Sequence, residues 1–370
     1  MSVPVLDLGA AYRELQDGID AAVGRVLASG WYIGGEEVAG FERDWATYVG
    51  ADHAVGVGNG LDALHLVLLA MGVGPGDEVI VASNGYIATL LAVSLAGATP
   101  VLVEPDPATH NLDPTLIEAA ISARTKVILP THLYGQPADL DPMLDIARRH
   151  GLRLVEDAAQ AHGATYKDKR IGAHSDAVAW SFYPTKNLGA MGDAGAVTTN
   201  DPDLAARVRM LGNYGSSRRY VNEARGVNSR LDPIQAAILG VKLRRLDEWN
   251  KRRRDIAVFY AKEMADCSIV LPFVPDWAGP VWHQFVIQSA ERDRIAAKLE
   301  EAGIHTLIHY PIPPHLQQAY ADLARPRGSF PIAERMADRV LSLPMGPHLS
   351  SDEAEQVVTA VRGSGAANPD

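Results

Sequence analysis

Residues 181–189 read Ser-Phe-Tyr-Pro-Thr-Lys-Asn-Leu-Gly, and the interpretation of the whole chain starts from this stretch. A strand-like apolar run over residues 177–180 precedes it, and a glycine-containing turn over residues 192–197 follows it. A lysine that follows a serine at the end of a strand and precedes glycines lies where a Schiff-base lysine is expected. An exposed loop lysine fits about as well, because most lysines lie at protein surfaces. The motifs around Lys186 must decide between the two.

The composition is that of an ordinary globular protein and disfavours several classes of function. The chain has 370 residues, of which 47% are hydrophobic and 21% charged, enough for one large or two unequal domains. The net charge of -11 disfavours nonspecific nucleic-acid binding. The single cysteine, Cys267, allows neither an intrachain disulfide nor a cysteine-cluster metal site. With no signal-peptide pattern and no long apolar run, we expect a cytoplasmic protein without membrane, nucleic-acid or metal partners.

Short apolar runs alternate with helical patterns along the first part of the chain. Strand-like runs are found at residues 54–57, 78–82, 100–103, 126–129 and 153–155. Helical patterns separate them at residues 61–71, 86–95 and 143–150. Uniformly apolar strands between helices are typical of a mostly parallel sheet covered on both faces. The sequence therefore predicts an α/β fold, preceded by helices over residues 12–29 and up to about residue 48.

The pattern changes after residue 245, where long helices of mixed charge begin. The run 242–255 has seven basic and three acidic residues, which we interpret as a solvated helix face. We predict a large domain over residues 1–245 that includes the N-terminal helical segment. A smaller C-terminal α+β domain over residues 246–362 and a disordered tail over residues 363–370 complete the prediction.

Three strand-to-helix junctions have residues suited to ligand binding. At Asn59-Gly60-Leu61, free amides and the positive end of a helix dipole would hold a phosphate, although Asn-Gly is also a common turn. Asp157 follows Glu156 at a strand end, where a carboxylate can keep a pyridine nitrogen protonated or simply cap a helix. The two acids point in opposite directions, so only one can face the site. Tyr86 could stack on a planar ring or pack in the core.

Taken together, these motifs resemble those of the sugar aminotransferases of the DegT/StrS group. The resemblance rests on E-D-A-A-Q-A-H-G-A at 156–164, S-F-Y-P-T-K-N-L-G at 181–189 and G-V-N-S-R-L-D at 226–232. It extends over nearly the whole chain, from Pro4 to Met345. It implies the pyridoxal-phosphate fold type I, which is a mostly parallel sheet flanked by helices with a smaller C-terminal α+β domain.

The resemblance implies a role for each residue that matches a family motif. Lys186 would bind pyridoxal 5'-phosphate covalently, with pyridoxamine 5'-phosphate formed in turnover. The other cofactor-binding residues would be Asp157 at the pyridine nitrogen, Gln160 near the 3-hydroxyl, Ser181 with the backbone of Gly60 and Leu61 at the phosphate, and Tyr86 stacked on the ring. Asn228 would reach the phosphate of the neighbouring subunit, which makes the protein a homodimer with shared active sites.

The substrate side is expected in two loops and beside the lysine. Arg218 and Arg219 are our candidates for the diphosphate of a nucleotide sugar, although a solvated loop fits them equally well. The other expected substrate-binding residues are Tyr183, Tyr214, His309 and Tyr310. No metal ligand is expected, since His162 has no partner at ligand spacing.

Two positions depart from the family pattern. Ala194 stands where the family often has a glycine, which is tolerable if its φ is negative. Gly85 stands where threonine is frequent, just before the stacking aromatic, and could loosen the loop under Tyr86. Neither departure removes a catalytic group.

The variant of the lysine motif resembles the branch that aminates C3 of the sugar. We therefore expect L-glutamate as amino donor, a dTDP-3-keto-6-deoxyhexose as acceptor and a dTDP-3-amino-3,6-dideoxyhexose as product. A UDP-3-keto-uronate is an alternative acceptor, but its carboxylate would need a cation, and residues 304–316 contain no arginine.

Other functions on the same fold stay open. They are a C4-keto-sugar aminotransferase, a lyase or amino-acid aminotransferase with an arginine clamp, and a non-enzymatic regulatory protein. A sugar dehydratase is disfavoured, because that branch has histidine where Lys186 stands.

Overall fold

In the computed structural model, residues 2–366 are described. A seven-stranded sheet in the order β1-β9-β8-β5-β4-β2-β3 forms the centre of the molecule. The strands β3, β2, β4, β5 and β8 are mutually parallel neighbours, and β9 runs antiparallel to both β8 and β1. The prediction of a mostly parallel sheet flanked by helices is confirmed.

The strands of the described chain have the following bounds: β1 His53–Val57, β2 Glu78–Ala82, β3 Thr99–Val103, β4 Thr125–Leu129, β5 Arg153–Asp157, β6 Thr165–Tyr166, β7 Lys169–Arg170, β8 Ala177–Ser181, β9 Gly195–Thr199, β10 Ser216–Arg218, β11 Val221–Asn222, β12 Ala278–Gly279, β13 Phe285–Gln288 and β14 Val340–Leu343. The helices are α1 Leu8–Ser29, α2 Glu36–Val49, α3 Gly60–Ala70, α4 Ile87–Leu95, α5 Ile117–Ala120, α6 Leu140–His150, α7 Pro202–Gly212, α8 Pro233–Leu243, α9 Leu246–Glu263, α10 Arg292–Glu301, α11 Pro331–Arg339 and α12 Ser351–Val361.

The central strands are apolar because both of their faces are buried. In β2, Val79 and Val81 pack into the core on one face, and Ile80 packs into the core on the other. All five residues of β2 and of β9 are buried, so neither strand shows the polar alternation of a half-exposed sheet. Helices cover both faces, which leaves the ends of the strands as the accessible part of the sheet.

One strand differs from the sequence-based description. The sequence predicts a glycine-containing turn over residues 192–197, but β9 already begins at Gly195. A Cβ at Gly195 would lie 2.4 Å from the carbonyl oxygen of Asn59 and 2.9 Å from that of Trp180. The glycine is therefore explained by two backbones that approach it closely, a reason that a turn interpretation does not contain.

A second, smaller core lies at the C-terminal part of the chain. It is formed around the antiparallel pair β13–β14 and the helices α10 and α12, with Phe285, Leu299 and Val357 fully buried. The long helix α9 contributes Tyr260 to this core. The expected division at residue 245 falls between α8 and α9, and we keep it as a proposal.

The two chain ends contribute to this smaller core. Val3 is buried in it and pairs with Ile304, although we expected the first residues to belong to the large domain. Arg362–Ala366 form a π-helical turn, so regular structure continues past residue 363, where we placed the start of the tail. Residues 367–370 of that tail lie outside the described residues. Within residues 2–366, no helix is long and apolar enough to cross a membrane.

Candidate active site

The candidate site lies where the parallel strands β2, β5 and β8, together with β1, end. Tyr86 follows β2, Asp157 ends β5, and Ser181 ends β8. Because the carboxyl ends of parallel strands meet at one edge, residues far apart in the sequence converge there. Asp157 is close enough to Lys186 for its charge to act on the lysine amine.

Lys186 lies in the turn that follows β8 and is partly exposed. Its backbone N–H donates to the carbonyl oxygen of Tyr183 at 2.8 Å, which closes the turn. Burial of the amine lowers the pKa of Lys186 to about 8, and the Asp157 carboxylate partly opposes this shift. A lysine with this pKa is partly neutral near pH 7, which an exposed loop lysine is not.

Asp157 is buried and held in position by two hydroxyl groups and an amide. The hydroxyl of Thr89 donates to Oδ2 at 2.8 Å and that of Thr131 at 3.4 Å, while the amide of Ala159 donates to Oδ1 at 3.1 Å. Thr89 comes from the first turn of α4 and Thr131 from the loop after β4. Sequence reasoning missed both threonines, although Thr89 is only three residues from the motif residue Tyr86.

Glu156 points to the opposite side of β5, away from Lys186. Its carboxylate accepts from Ser175 at 2.6 Å and lies 2.8 Å from His132 Nε2. Because His132 Nδ1 accepts the amide of Ala138, the proton of this imidazole is on Nε2 and is donated to Glu156. Glu156 is therefore fully engaged within the protein, and only Asp157 faces the site.

Gly60 and Ser181 meet at a second part of the site, which we call the phosphate corner. A Cβ at Gly60 would lie 2.6 Å from the Cβ of Ser181, so the N-terminus of α3 can approach β8 only with glycine there. Asn59 caps α3 by accepting the amide of Asp62, and its carbonyl accepts the amide of Ala63. In the described chain this leaves the amides of Gly60 and Leu61 without a protein acceptor. Two free amides beside a serine hydroxyl suit a phosphate group.

Aromatic residues border the space between the Lys186–Asp157 pair and the phosphate corner. Tyr86 is 53% exposed, and its ring centroid lies 5.2 Å from that of Tyr310. Gln160 donates to the Tyr310 hydroxyl at 3.2 Å and accepts the backbone N–H of Tyr134 at 2.6 Å. The structure therefore brings Tyr86, Gln160 and Tyr310 together, with Tyr134 as a support that no sequence motif indicated.

His309 lies in the same region and is neutral. Its Nδ1 is 2.8 Å from the hydroxyl of Ser342, and its carbonyl accepts the hydroxyl of Tyr134. Burial, assisted by the positive charge of Lys186, lowers the pKa of His309 to about 4. The same two causes lower the pKa of His162 to about 3. At neutral pH the histidines near Lys186 therefore add no positive charge.

The other expected residues lie on exposed surface. Tyr183 is 52% exposed beside Lys186, and Tyr214 is 53% exposed at the base of the β10–β11 hairpin. Arg218 and Arg219 lie in this hairpin, where Arg219 is over the ring of Tyr220.

No contact between the described residues joins Arg218 or Arg219 to Lys186 or Asp157. Asn228 is also exposed and bridges Asn213 at the base of the hairpin. The structure thus groups Asn228 with the hairpin rather than with Lys186.

The two departures from the family pattern have little effect on the backbone. Ala194 is not among the described residues with positive φ, so the condition for tolerating alanine there is met. A Cβ at Gly85 would lie 3.9 Å from the Thr131 hydroxyl, which is an ordinary contact. The loop under Tyr86 therefore neither needs glycine nor excludes a larger residue.

The residues present fit pyridoxal phosphate. A lysine amine with a lowered pKa, a carboxylate fixed opposite it, two free amides beside a serine hydroxyl and an exposed aromatic ring converge at one edge of the sheet. These are the groups that can bind an aldehyde, a pyridine nitrogen, a phosphate and a ring face, respectively. Lys186, Asp157, Ser181 and Tyr86 supply their side chains.

Comparisons with known proteins agree with this arrangement. Residues 13–362 match the model of the DegT/DnrJ/EryC1/StrS aminotransferase family. The chain is 57% identical over 98% of its length, and 99% of the relative, to the "erythromycin biosynthesis sensory transduction protein EryC1" of Saccharopolyspora erythraea. It is 55% identical, over 97% of its length and 95% of the relative, to "dTDP-3-amino-3,4,6-trideoxy-alpha-D-glucose transaminase" of Streptomyces venezuelae. With "dTDP-3-amino-3,6-dideoxy-alpha-D-galactopyranose transaminase" of Aneurinibacillus thermoaerophilus it shares 52% over 98% of the chain and 99% of the relative.

Solved structures show the same fold. The crystal structure of S. venezuelae DesV in complex with a ketimine intermediate superposes with a TM-score of 0.98, at 54% identity, and each chain is covered completely. NtdA from Bacillus subtilis with bound cofactor PMP superposes with a TM-score of 0.92, at 32% identity. That match covers 98% of this chain and 85% of the NtdA chain.

Proposed function

The chain belongs to the DegT/DnrJ/EryC1/StrS aminotransferase family, and on that premise we propose that it transfers an amino group from L-glutamate to C3 of a nucleotide-linked keto-sugar with pyridoxal phosphate as cofactor. The acceptor in this proposal is a dTDP-3-keto-6-deoxyhexose and the product a dTDP-3-amino-3,6-dideoxyhexose. The observation that carries the proposal is the Lys186 amine, with its lowered pKa, beside a buried Asp157 at the carboxyl edge of the sheet.

Lys186 and Asp157 would perform the two tasks that amino transfer requires of the protein. Pyridoxal phosphate, when bound, supplies an electron sink for the carbon that loses its proton. Asp157, oriented by Thr89 and Thr131, holds a proton on the pyridine nitrogen and so maintains that sink. The Lys186 amine would accept a proton at Nζ from the carbon of the amino donor and deliver it to the second carbon of a 1,3 shift. A pKa of about 8 leaves the amine basic enough to accept that proton and neutral often enough to do so.

The remaining residues would bind and orient. Ser181 with the amides of Gly60 and Leu61 would hold the phosphate, and Tyr86 would cover one face of the ring. Gln160, fixed by the amide of Tyr134, would reach the ring hydroxyl. His309 and Tyr310 would line the sugar pocket, and as neutral groups they suit a sugar better than an anion.

The names of the relatives and the charge around Lys186 both favour a C3 dTDP-sugar over the alternatives. Two relatives above 50% identity are named as transaminases of dTDP-3-amino sugars. In addition, the histidines near Lys186 are neutral, and no arginine of the described chain contacts Lys186, Asp157, His309 or Tyr310, so a uronate carboxylate would find no bidentate partner beside them in the same protomer.

A non-enzymatic regulatory role is less well supported. It draws on the names of two relatives, a "sensory transduction protein" and a "pleiotropic regulatory protein" of Geobacillus stearothermophilus that is 44% identical. The present chain retains Lys186, Asp157 and the phosphate corner together, and its net charge of -11 does not favour binding to DNA. A regulator would have no need of a lysine whose pKa is lowered next to a buried acid.

We also propose a homodimer with shared sites. The motivation is Asn228, which is exposed and lies in the hairpin region rather than against its own Lys186. Three consecutive apolar residues, Trp31, Tyr32 and Ile33, are each more than half exposed between α1 and α2, as is expected of a surface that a second copy covers. Tyr214, Arg218 and Arg219 would then face the site of the neighbouring subunit.

The function is tested with a panel of keto-sugars. The purified protein, loaded with pyridoxal phosphate, is incubated with glutamate and each of dTDP-3-keto-6-deoxyhexose, dTDP-4-keto-6-deoxyhexose and a UDP-3-keto-uronate. We expect amination of the first, with the new amine located at C3 by NMR. Exclusive amination at C4, or exclusive use of the uronate, would reject the proposed acceptor, and no turnover with any of the three would reject the proposed enzyme class.

A further inference from the structure

The turn that carries Lys186 is closed tightly by its own backbone. The amide of Ala190 donates to the carbonyl of Phe182 at 2.7 Å. A Cβ at Gly189 would lie 2.4 Å from the carbonyl oxygen of Pro184, so the two arms of the turn touch at this glycine. Any shift of residues 189–191 therefore moves the short segment that holds Lys186.

Helix α8 binds the outgoing arm of this turn through two side chains. The Lys242 ammonium donates to the carbonyl oxygen of Gly189 at 2.7 Å. Gln235 accepts the amide of Met191 at 2.8 Å and donates to the carbonyl of the same residue at 3.2 Å. Gln235 and Lys242 are seven residues apart, which is two helical turns, so both project from one face of α8.

Lys242 is an unusual residue for this position on grounds of stability. Its side chain is 5% exposed, and within residues 2–366 no carboxylate forms an ion pair with it. Burial lowers the pKa of Lys242 to about 8. An apolar residue of the same length would avoid the desolvation of the amine, and a buried charge without an ionic partner is costly to a fold. A side chain that costs stability here needs a reason other than folding.

The contact itself supplies that reason. The Lys242 amine donates to the backbone of Gly189, three residues after Lys186, and not to a group proposed to bind the cofactor. It can influence Lys186 only through the turn. A strong hydrogen bond from an ammonium, together with the paired bonds of Gln235, restricts the carbonyl of Gly189 and both polar groups of Met191.

We propose that Lys242, assisted by Gln235, is a positioning residue that fixes the turn of Lys186 and thereby the orientation in which this lysine meets the cofactor. The inference rests on the proposed function in one respect, namely that Lys186 is the lysine that binds pyridoxal phosphate. It assigns to α8 a role in catalysis although this helix contributes no group to the site.

The test compares Lys242→Met and Gln235→Leu with the wild type and with Leu239→Val. Leu239 is fully buried on the same helix and belongs to its apolar core, so its variant introduces a mild packing defect while leaving the hydrogen bonds of Gln235 and Lys242 to the turn in place. Methionine keeps the length of the lysine stem and removes only the ammonium group. Four quantities are measured: unfolding midpoint in urea, hydrogen exchange of peptide 183–192 in the cofactor-free protein, the pH midpoint of the absorbance of bound pyridoxal phosphate, and kcat with KM.

A positioning role predicts a specific combination. Lys242→Met should unfold at about the wild-type urea concentration, because removal of the desolvated charge offsets the loss of the donor to the Gly189 carbonyl. Exchange of peptide 183–192 should be at least about tenfold faster in Lys242→Met and in Gln235→Leu. The pH midpoint should move by about half a unit or more, since the geometry around the Lys186 nitrogen changes. The value of kcat should fall about tenfold with little change in KM.

A merely structural role predicts the opposite combination. If Lys242→Met loses stability while loop exchange and the pH midpoint stay at the wild-type values, the inference is overturned. The same holds if Leu239→Val changes exchange and midpoint as much as Lys242→Met does. If borohydride fixes no cofactor to Lys186 in the wild-type protein, the proposed function is rejected instead. Hydrogen exchange in the cofactor-free protein would still decide whether Lys242 holds the turn.

Discussion

At the scale of the residue, adjacent acids of the same charge have separate tasks. Asp157 faces Lys186 and is held by Thr89 and Thr131, whereas Glu156 faces the opposite side of β5 and is held by His132 and Ser175. The difference follows from the alternation of side chains along a strand. It means that the same chemical substitution, acid to amide, should have different consequences at the two positions.

The first prediction compares Asp157→Asn with Glu156→Gln. Asparagine cannot hold a proton on the pyridine nitrogen as a carboxylate does, so kcat should fall by more than about two decades, or roughly 2.7 kcal/mol, with cofactor still bound. In Glu156→Gln an amide group would face one of two hydrogen-bond donors, and the free energy of unfolding should fall by about 1–3 kcal/mol with activity largely kept. Steady-state rates and urea unfolding of both variants check this. An active Asp157→Asn together with an inactive, cofactor-bound Glu156→Gln would reverse the assignment.

The second prediction concerns the pH at which Lys186 captures its cofactor. Only the neutral amine attacks an aldehyde, and burial lowers the pKa of Lys186 from 10.5 to about 8. The rate at which the cofactor-free protein binds pyridoxal phosphate should therefore rise with pH up to about 8 and then level off. Because the Asp157 carboxylate raises this pKa, Asp157→Asn should move the plateau to lower pH.

Stopped-flow absorbance at a series of pH values measures this rate. Lys186→Ala serves as the control and should show no capture that borohydride can fix. A rate that still rises steeply at pH 10 would indicate a lysine with an ordinary pKa and would contradict the environment described for Lys186.

At the scale of the element, one carboxylate joins parts of the chain that are distant in sequence. Glu14 on α1 accepts from Trp249 at 3.2 Å and from Arg252 at 3.1 Å, both on α9, and lies 2.6 Å from His348 Nε2. Burial alone would raise the pKa of Glu14, but the hydrogen bonds from His348, Arg252 and Trp249 lower it to about 2. Glu14 thus fastens the N-terminal helix to α9 and to the segment before α12.

The third prediction is that Glu14→Gln loosens this attachment. A glutamine lacks the charge and can accept with one atom only, so the free energy of unfolding at pH 7 should fall by about 2 kcal/mol. The pKa of Glu14 is lower in the folded protein than in the unfolded chain, where it is near 4.5. The stabilisation is therefore complete above pH 4.5 and is lost as the pH falls towards 2, and the difference between variant and wild type should shrink at pH 3.

Urea unfolding at pH 7 and pH 3 measures both effects. Glu36→Gln is a matched control, because the Glu36 side chain is 95% exposed and its ion pair with Arg43 is 3.9 Å long. It should change the free energy of unfolding by less than about 0.5 kcal/mol at either pH. A Glu14→Gln protein with the stability of this control would show that the contacts of Glu14 do not stabilise the fold.

At the scale of the whole molecule, the expected site residues fall into two groups. Lys186, Asp157, Gln160 and Tyr86 lie together at the sheet edge, while Asn228 and the arginines of the hairpin lie on separate exposed surface. If each site is completed by a second copy, both groups are used, each towards a different site.

The fourth prediction tests this sharing by complementation. Lys186→Ala and Asn228→Asp should each be inactive alone. When they are co-expressed, a mixed dimer has one site with both residues intact, and random pairing should restore about a quarter of the wild-type activity per protein. The negative control is Lys186→Ala with Asp157→Asn, which affect the same site and should not complement. No recovery in isolated mixed dimers would argue that Asn228 does not act across the interface.

Much of the fold follows from the sequence because it depends on local pattern. Strand β2 at 78–82 coincides with its apolar run, and the helical pattern at 143–150 lies within α6, which ends at His150 as the pattern predicts. Two of the sequence motifs also indicated Lys186, Asp157 and Ser181, since these residues lie at or just after the ends of β5 and β8, two parallel strands whose carboxyl ends lie at the same edge. Periodicity and strand direction are properties that a single segment carries by itself.

The tertiary structure decided which distant residues support these groups. Val3 packs in the core of the C-terminal part, Thr89 fixes Asp157, Tyr134 joins Gln160 to His309, and Lys242 holds Gly189. None of these pairs is separated by a helical or strand period, and several are more than fifty residues apart. Their contacts exist only because the sheet order and the packing of helices place the partners side by side, and that order is set by the free energy of the whole core rather than by any local stretch.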